Sequence, residues 1–288
     1  MVMKKILVTG VGELAGRNVA QLLLGRGHVV VGTNARSVAV PGITFRLVPA
    51  ASDSSFMDRL HQIVQQEKID LLIPAASEEL PLIAERWNNR DGVPALIGPF
   101  DAVYAANDKY LTADHLSKNN VRVPRYSLPS QTKSAEDIAN AVGWPCLSKP
   151  RIGYGGHGVA VWHEKDYTFM ETLDDRSILQ EFVPGVEYTA NVCLGHNGQD
   201  RVVVLEKTRL REGNVGPALE VRRVDEPDVA QLAIAAGRAL GLTGPLDIDI
   251  RRRADNVPVV LEINARFGAH IAQAPEVLDA ALANLGVA

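Results

Sequence analysis

Cysteine is nearly missing from this chain, with two in 288 residues, Cys146 and Cys193, far apart in sequence. They form no metal-binding spacing and no disulfide framework, and both lie in apolar runs, which predicts buried, reduced thiols. Charge of one sign is also scarce. The formal net charge is -4 and no long run of either sign occurs, so no basic face for a nucleic acid or a membrane surface is built. Long apolar stretches are absent. The apolar run after Lys4 and Lys5 is too short for a signal-peptide core, and none is long enough to span a bilayer. There is no internal repeat, no low-complexity tract and no Ser-His-Asp set, and the seven histidines make no metal pattern. The remaining composition, 46% hydrophobic and 22% charged, is that of a globular protein with room for one large domain or two smaller ones. The expectation is a cytoplasmic enzyme or binding protein.

The texture of the chain changes partway. Strand patterns at "KKILVT", "HVVVGT", "DLLIPA" and "ALIG" alternate with helical patterns over Leu14 to Gly25, Ser54 to Glu67 and Glu78 to Asn88. This succession predicts a parallel sheet with helices on its faces. A polar connection with helical character runs from Pro99 to Asn120. From about Val121 come "PCLSKP", "HGVAVW", "SILQEF", "VEYTANVCLG", "DRVVVLEKTRL", "GPLDIDIRR" and "VPVVLEINARF", interrupted by helices only at Ala135 to Val142 and Pro227 to Leu240. Consecutive strands with turns between them predict antiparallel sheet.

The first strand runs into a glycine turn, Gly10, Gly12 and Gly16, which has the look of a dinucleotide site. Two features argue against it. Glu13 stands at the start of the following helix, where a pyrophosphate would rest, and a carboxylate repels it there. The second strand ends in Thr33 and Asn34, with no acid for a ribose, although Arg36 would suit a 2′-phosphate. The turn therefore reads as strand-to-helix packing.

A better phosphate site is "LSKPRIGYGGHGVAVW". Lys149 ends a strand, and Gly153, Gly155, Gly156 and Gly158 precede the next one. Such a hairpin can lay backbone N–H groups over phosphates, with Lys149 neutralising charge at its base and His157 within its tip. Further on, "ILQEFVPGVEYTANV" holds a short link between Glu181 and Glu187, where backbone groups would read an adenine edge and the Glu187 carboxylate would hold ribose hydroxyls. Finally, "PLDIDIRRRADNVPVVLEINARFG" reads as two strands around a turn at Ala254 to Val257. Side chains two apart share a strand face. That gathers Glu262 and Asn264 on one strand and Asp247 and Asp249 on the other into an all-oxygen set suited to Mg²⁺. Arg266 follows for a phosphate or acyl-phosphate oxygen. In "EKTRLREG", Lys207 and Arg209 are expected on one face to hold a carboxylate. Ser77, Glu78 and Glu79 begin a helix at a strand's carboxyl end, where they would cap it or hold an amine.

These residues resemble those of the ATP-grasp superfamily along nearly the whole chain. The motifs are Lys149 to Gly158, Gln180 to Tyr188, and Asp249, Glu262, Asn264 and Arg266, with thirteen residues from Asp249 to Glu262. The texture is most similar to the large-chain branch of carbamoyl-phosphate synthase, with its stand-alone carboxylate–amine ligases. "AANDKYLTADHL" is similar to the stretch where that branch places a first ATP lysine, here Lys109. The resemblance implies α/β and α+β architecture: a Rossmann-like pre-ATP-grasp domain over 1–98, which does not hold the nucleotide, then an ATP-grasp fold of two α+β subdomains over 99–288. The lid subdomain would span about 121–180 and the C-terminal one about 181–288. It also implies a site. Lys109, Lys149, Gly153, Gly155, Gly156, His157, Gly158, Gln180, Glu181, Phe182, Val183 and Glu187 would bind ATP. Asp249, Glu262 and Asn264 would hold Mg²⁺ or Mn²⁺, with Asp247 the competing ligand, and Arg266, Lys207 and Arg209 would act on substrate. The expected activity is ATP-dependent ligation of a carboxylate to an amine through an acyl phosphate. The expected partners are small molecules, amino acids foremost, with no nucleic acid or membrane, and a homodimer is the candidate assembly. Alternatives are a kinase, carbamoyl-phosphate-type synthesis by one module, and an NADP-dependent oxidoreductase using Gly10 and Arg36. Ala265 replaces the proline common after the metal-binding asparagine, which predicts a less rigid loop at Arg266. The chain ends at Ala288, where relatives continue, so a single module without a second synthetase half is expected.

Overall fold

The computed structural model describes residues 3–87, 92–195, 198–212 and 215–286. Its first layer is a four-stranded parallel sheet. β1 (Lys5–Val8), β2 (Val29–Asn34), β3 (Thr44–Leu47) and β4 (Leu71–Ile73) lie in the order β3-β2-β1-β4. β1 and β2 are apolar on both faces because helices cover both. Ile6 and Val8 pack with Val19, Ala20 and Leu23 of α1 (Leu14–Gly25), while Leu7 and Val31 pack with Phe56, Leu60 and Ile63 of α2 (Phe56–Glu67).

The sequence expectations fail here in small, physical ways. "ALIG" is reduced to a single bridge between Leu72 and Ala95, because the chain turns away at Gly98 and Pro99 into the next helix. β3 is an edge strand, Thr-Phe-Arg-Leu, too mixed to announce itself by alternation. The helix expected from Glu78 begins as a 3₁₀ turn at Ser77–Glu79 and continues as α3 (Leu80–Arg86); Asn88 lies outside the described residues.

The polar connection folds into α4 (Phe100–Asn107) and α5 (Lys109–Lys118). Asp108 caps α5 by accepting from the Tyr110 and Leu111 N–H groups, and its carboxylate also takes the Arg151 guanidinium in a bidentate grip. Next come β5 (Tyr126–Ser127), α6 (Ala135–Ala141), β6 (Cys146–Pro150), β7 (Ala160–Trp162) and β8 (Ser177–Glu181). Their strands form an antiparallel sheet in the order β5-β8-β6-β7.

β9 (Glu187–Leu194), β10 (Arg201–Glu212), β11 (Val215–Val224), β12 (Gly244–Arg252) and β13 (Pro258–Asn264) build an antiparallel sheet in the order β11-β10-β9-β12-β13. One face is covered by α7 (Pro227–Ala239), whose Val229, Ala233 and Ala236 meet Val192, Leu246 and Ile248. The other face is apolar at one end only, where α8 (Pro275–Asn284) sets Val277, Leu278 and Ala281 against Cys193, Val203 and Leu205. The sequence reading lacks β5, β11 and α8. β11 carries Glu220, Arg222 and Arg223 and sits at a sheet edge, so it has little apolar patterning. α8 had the signals of a helix, a proline in its first turn and apolar residues at helical spacing. Cys146 and Cys193 are buried and free. Among the described residues no helix is long and apolar enough to cross a membrane.

Candidate active site

The uncovered end of the five-stranded sheet faces a cleft of about 690 Å³ bounded by the other two sheets. Strand register fixes what points into it. Asp249 lies opposite Glu262 on β13 and Thr189 on β9; Asp247 lies opposite Asn264 and Asn191. Directly paired residues share a face. The intervening Tyr188, Ala190, Ile248 and Ile263 are buried in the core below. Alternation therefore turns one band of apolar and polar residues into a packed floor and a carboxylate-bearing surface.

Three lysines neutralise that surface. Lys207 is buried, with its Nζ 2.7 Å from Glu187 Oε1 and 2.8 Å from Asp249 Oδ1. Burial works to lower its pKa, but Asp249 and Glu187 outweigh it and hold the ammonium well above its ordinary range. Burial lifts Asp249 to about 7, with Lys207 opposing and the neighbouring Asp247 and Glu262 adding to the rise. Lys109 begins α5; its N–H donates to the Arg151 carbonyl at 2.9 Å, so the Arg151–Asp108 clamp locates it. Its Nζ lies 2.7 Å from the Gly153 carbonyl and 3.3 Å from Glu262. Lys149, at the end of β6, donates to the Leu261 carbonyl at 3.4 Å, and burial lowers its pKa to about 8. Burial would raise Glu262, yet Lys109, Lys149 and Lys207 prevail and keep it below the usual carboxylate range.

The glycine hairpin joins β6 to β7 and closes one side. Gly156 has φ +75°, and a Cβ there would stand 2.8 Å from the Gly216 Cα, so glycine is what lets the hairpin meet the β10–β11 turn. A Cβ at Gly153 or Gly155 would make only ordinary contacts, with Pro150 Cβ at 3.7 Å and His157 Cδ2 at 3.5 Å. At the far end Arg266 donates through Nε to the Ser77 hydroxyl at 3.0 Å and through Nη1 to the Phe267 carbonyl at 2.8 Å, and approaches Asp247 at 3.5 Å. Asp247 also takes the Thr189 hydroxyl.

Most of the expected residues come together here. Lys109, Lys149, Gly153, Gly155, Gly156, His157, Gln180, Glu181, Val183, Glu187, Lys207, Asp249, Glu262, Asn264 and Arg266 all line the cleft. Gly158 and Phe182 are not among its lining residues. Arg209 is displaced: the β10–β11 pairing is irregular at Lys207, Arg209 and Leu210, so Arg209 turns outward to Glu220 at 2.6 Å and Arg211 lines the cleft instead. A bulge breaks the two-residue alternation on which the Lys207–Arg209 pairing depended. Glu79 does not face the cleft. It is buried beside Thr9, its Oε2 has no partner among the described residues, and burial raises its pKa to about 7. Sequence reasoning missed Thr189 and Arg251, which alternation from Glu187 and Asp249 would have supplied. It also missed Gly216 to Leu219 and His270, which only folding brings in.

Among the described residues, no three of His, Cys, Asp and Glu gather into a ready cation cage. The donors that do meet, Asp249 opposite Glu262 with Asn264 two residues on, are all oxygen and fit a hard cation that draws the rest of its shell from phosphates and water. The buried lysines and the cleft-lining hairpin glycines fit the phosphates themselves.

A parallel α/β sheet followed by two antiparallel sheets that close on a lysine- and carboxylate-lined cleft defines the class of protein. The chain belongs to the ATP-grasp family, whose ATP-grasp domain profile matches residues 106–270. It is similar to the carbamoyl phosphate synthase large chain of Methanospirillum hungatei, 23% identical over 297 residues, covering 91% of this chain but only 28% of that protein. Among solved structures it resembles an L-amino acid ligase from Bacillus licheniformis (TM-score 0.69, 19% identity, covering 93% of this chain and 68% of the other). It also resembles a D-alanine–D-alanine ligase from Bacillus anthracis (TM-score 0.67, 15% identity, covering 99% and 98%). These likenesses place the α/β and α+β architecture expected from the sequence within the ATP-grasp fold.

Proposed function

We propose that the protein is an ADP-forming carboxylate–amine ligase that uses Mg–ATP. The observation that carries this reading is the register of the floor: Asp249 faces Glu262 directly, with Lys109 3.3 Å from Glu262 and the glycine hairpin hydrogen-bonded to the same lysine. ATP would lie with its adenine along Gln180 to Val183, its ribose toward Glu187 and its phosphates between Lys109, Lys149 and the hairpin. Asp249, Glu262 and Asn264 would hold Mg²⁺ or Mn²⁺, which neutralises phosphate charge when bound. Asp249 is favoured over Asp247 because it stands directly opposite Glu262, whereas Asp247 stands opposite Asn264. We read residues 1–98 as the pre-ATP-grasp domain and 99–288 as the ATP-grasp domain, with the lid near 121–180.

The chemistry needs positioning and charge stabilisation more than a covalent enzyme nucleophile. A substrate carboxylate oxygen attacks the γ-phosphorus, and the bond to the β-phosphate oxygen breaks to release ADP. Arg266 stands where it would meet the transferred phosphoryl group. An amine then attacks the acyl carbon, phosphate leaves and the nitrogen loses a proton. Lys207 would keep Asp249 charged and aligned, and Arg211 takes over the substrate-facing role expected of Arg209. Glu13 and Glu78 are exposed and line the first-sheet side of the cleft, which suits an amino acid substrate with a free ammonium.

The test is a screen of amino acids, singly and in pairs, for Mg-dependent phosphate release from ATP, with mass analysis of products. An amide-linked product is expected. A phosphorylated acid that persists when amines are supplied would make the protein a kinase, and ATP-independent activity would end the reading.

A further inference from the structure

We infer that Ser77 is a positioning residue for Arg266, so that the first parallel sheet takes part in the chemistry of the cleft. The inference rests on the ligase reading above. Arg266 follows β13 on the five-stranded sheet, and Ser77 follows β4 at the carboxyl end of the parallel sheet, 189 residues away. The guanidinium has two short bonds, Nε to Ser77 Oγ at 3.0 Å and Nη1 to the Phe267 carbonyl at 2.8 Å. Its approaches to Asp247 at 3.5 Å and Asn264 at 3.4 Å are long. A planar fork is fixed by two short bonds and pivots about one. Without the serine hydroxyl, the remaining side-chain pull is toward the Asp247 carboxylate on the sheet, which turns the fork away from its present setting.

Ser77 is itself held. Gly10 packs so close to the preceding Ala76 that a Cβ at Gly10 would stand 2.8 Å from the Ala76 Cβ, and the Ala75 N–H donates to Thr9 Oγ1 at 3.1 Å. The opening glycine turn thus anchors the segment that sets Arg266. Its glycine serves the active site by bracing a neighbouring loop.

The experiment is a double-mutant cycle on the whole protein, with kcat and the KM for ATP measured by Mg-dependent phosphate release. Ser77→Ala is expected to lower kcat about tenfold or more, since a hydrogen bond to a charged group is lost, while the KM for ATP stays within about twofold. Ser77→Thr keeps the hydroxyl and should restore most of the rate. In an Arg266→Lys background, which lacks the Nε–H, Ser77→Ala should cost little more. A parental kcat in Ser77→Ala, an equal loss in Ser77→Thr, or full multiplicative losses in the double mutant would each overturn the inference and leave the ligase reading standing. If Ser77→Ala loses cooperative unfolding, Ser77→Cys takes its place, with the same loss expected because a thiol is a poor acceptor. A parent without Mg–ATP turnover overturns both.

Discussion

Two glycine-rich turns, Gly10 to Gly16 and Gly153 to Gly158, use glycine to different degrees for packing. In the turn from Gly10 to Gly16 every added Cβ would strike something: Ala76 at Gly10, the Asn34 amide at Gly12, and the Gly10 carbonyl at Gly16, all at 2.8 Å or less. The Gly12 N–H is also taken by Asn34 Oδ1, at 3.3 Å. The chain itself fills the space that a dinucleotide would need. The hairpin from Gly153 to Gly158 borders the cleft. The first turn spends all three missing side chains on packing; in the second, Gly156 and Gly158 are packed against Gly216 and Pro150, while Gly153 and Gly155 make only ordinary contacts at the edge of the cleft. A glycine pattern alone does not separate these uses, because both follow from the same absent Cβ.

The largest test of that contrast removes the chemistry assigned to the second region. Glu262→Gln keeps the shape and deletes one charge, so the protein should fold while phosphate release falls by about a hundredfold or more. Asp249→Asn should lose less, and Asp247→Asn less again. A folded Glu262→Gln enzyme at the parental rate would remove the metal site from this sheet. Next is Lys149→Ala, expected to cost on the order of 3 kcal/mol of transition-state stabilisation with unfolding unchanged. Steady-state kinetics beside thermal melts give the answer.

A direct exchange then sets turn against turn. Gly10→Ala forces a side chain onto φ +61° and into Ala76, so its stability should drop by about 2 to 3 kcal/mol. Gly156→Ala likewise forces a side chain onto φ +75° and into the Gly216 backbone, so it should lose comparable stability and, unlike Gly10→Ala, also weaken ATP binding several-fold. Calorimetric ATP titration of both variants decides, and a larger affinity loss in folded Gly10→Ala would invert the comparison.

Glu79 tests the packing of the first region through pH. Burial raises its pKa from 4.5 to about 7, so the folded state holds a proton between those values that the unfolded state gives up. Stability from this group is complete below pH 4.5 and is lost as pH rises through about 7. Glu79→Gln should therefore stabilise by up to about 2 to 3 kcal/mol at pH 8 and hardly at all at pH 4.5. Denaturant midpoints at the two pH values would show it; equal shifts at both would contradict the buried, uncharged carboxyl. The smallest expected effect is Glu13→Gln on ATP affinity, which should be nil. A marked change would return the nucleotide to the opening turn.

Local pattern carried a good deal of this protein. Residue periodicity placed α1 with its observed ends and β12 likewise, because helix and strand periods are properties of neighbouring residues. The same alternation put Asp247 with Asp249, and Glu262 with Asn264, on the shared polar face of their two strands. It could not see the bulge that turns Arg209 outward, since a bulge is set by the partner strand. Nor could it find that Glu79 is buried while Glu78, one residue before, lines the cleft. What the sequence alone determined was the inventory: which faces are polar, where the glycines fall, and which acids stand two apart. The tertiary structure decided who meets whom. It turned Arg209 out of the cleft, joined Ser77 to Arg266 across 189 residues, and packed every glycine of the first turn but only two of the second, because contacts between distant segments depend on packing that no local period encodes.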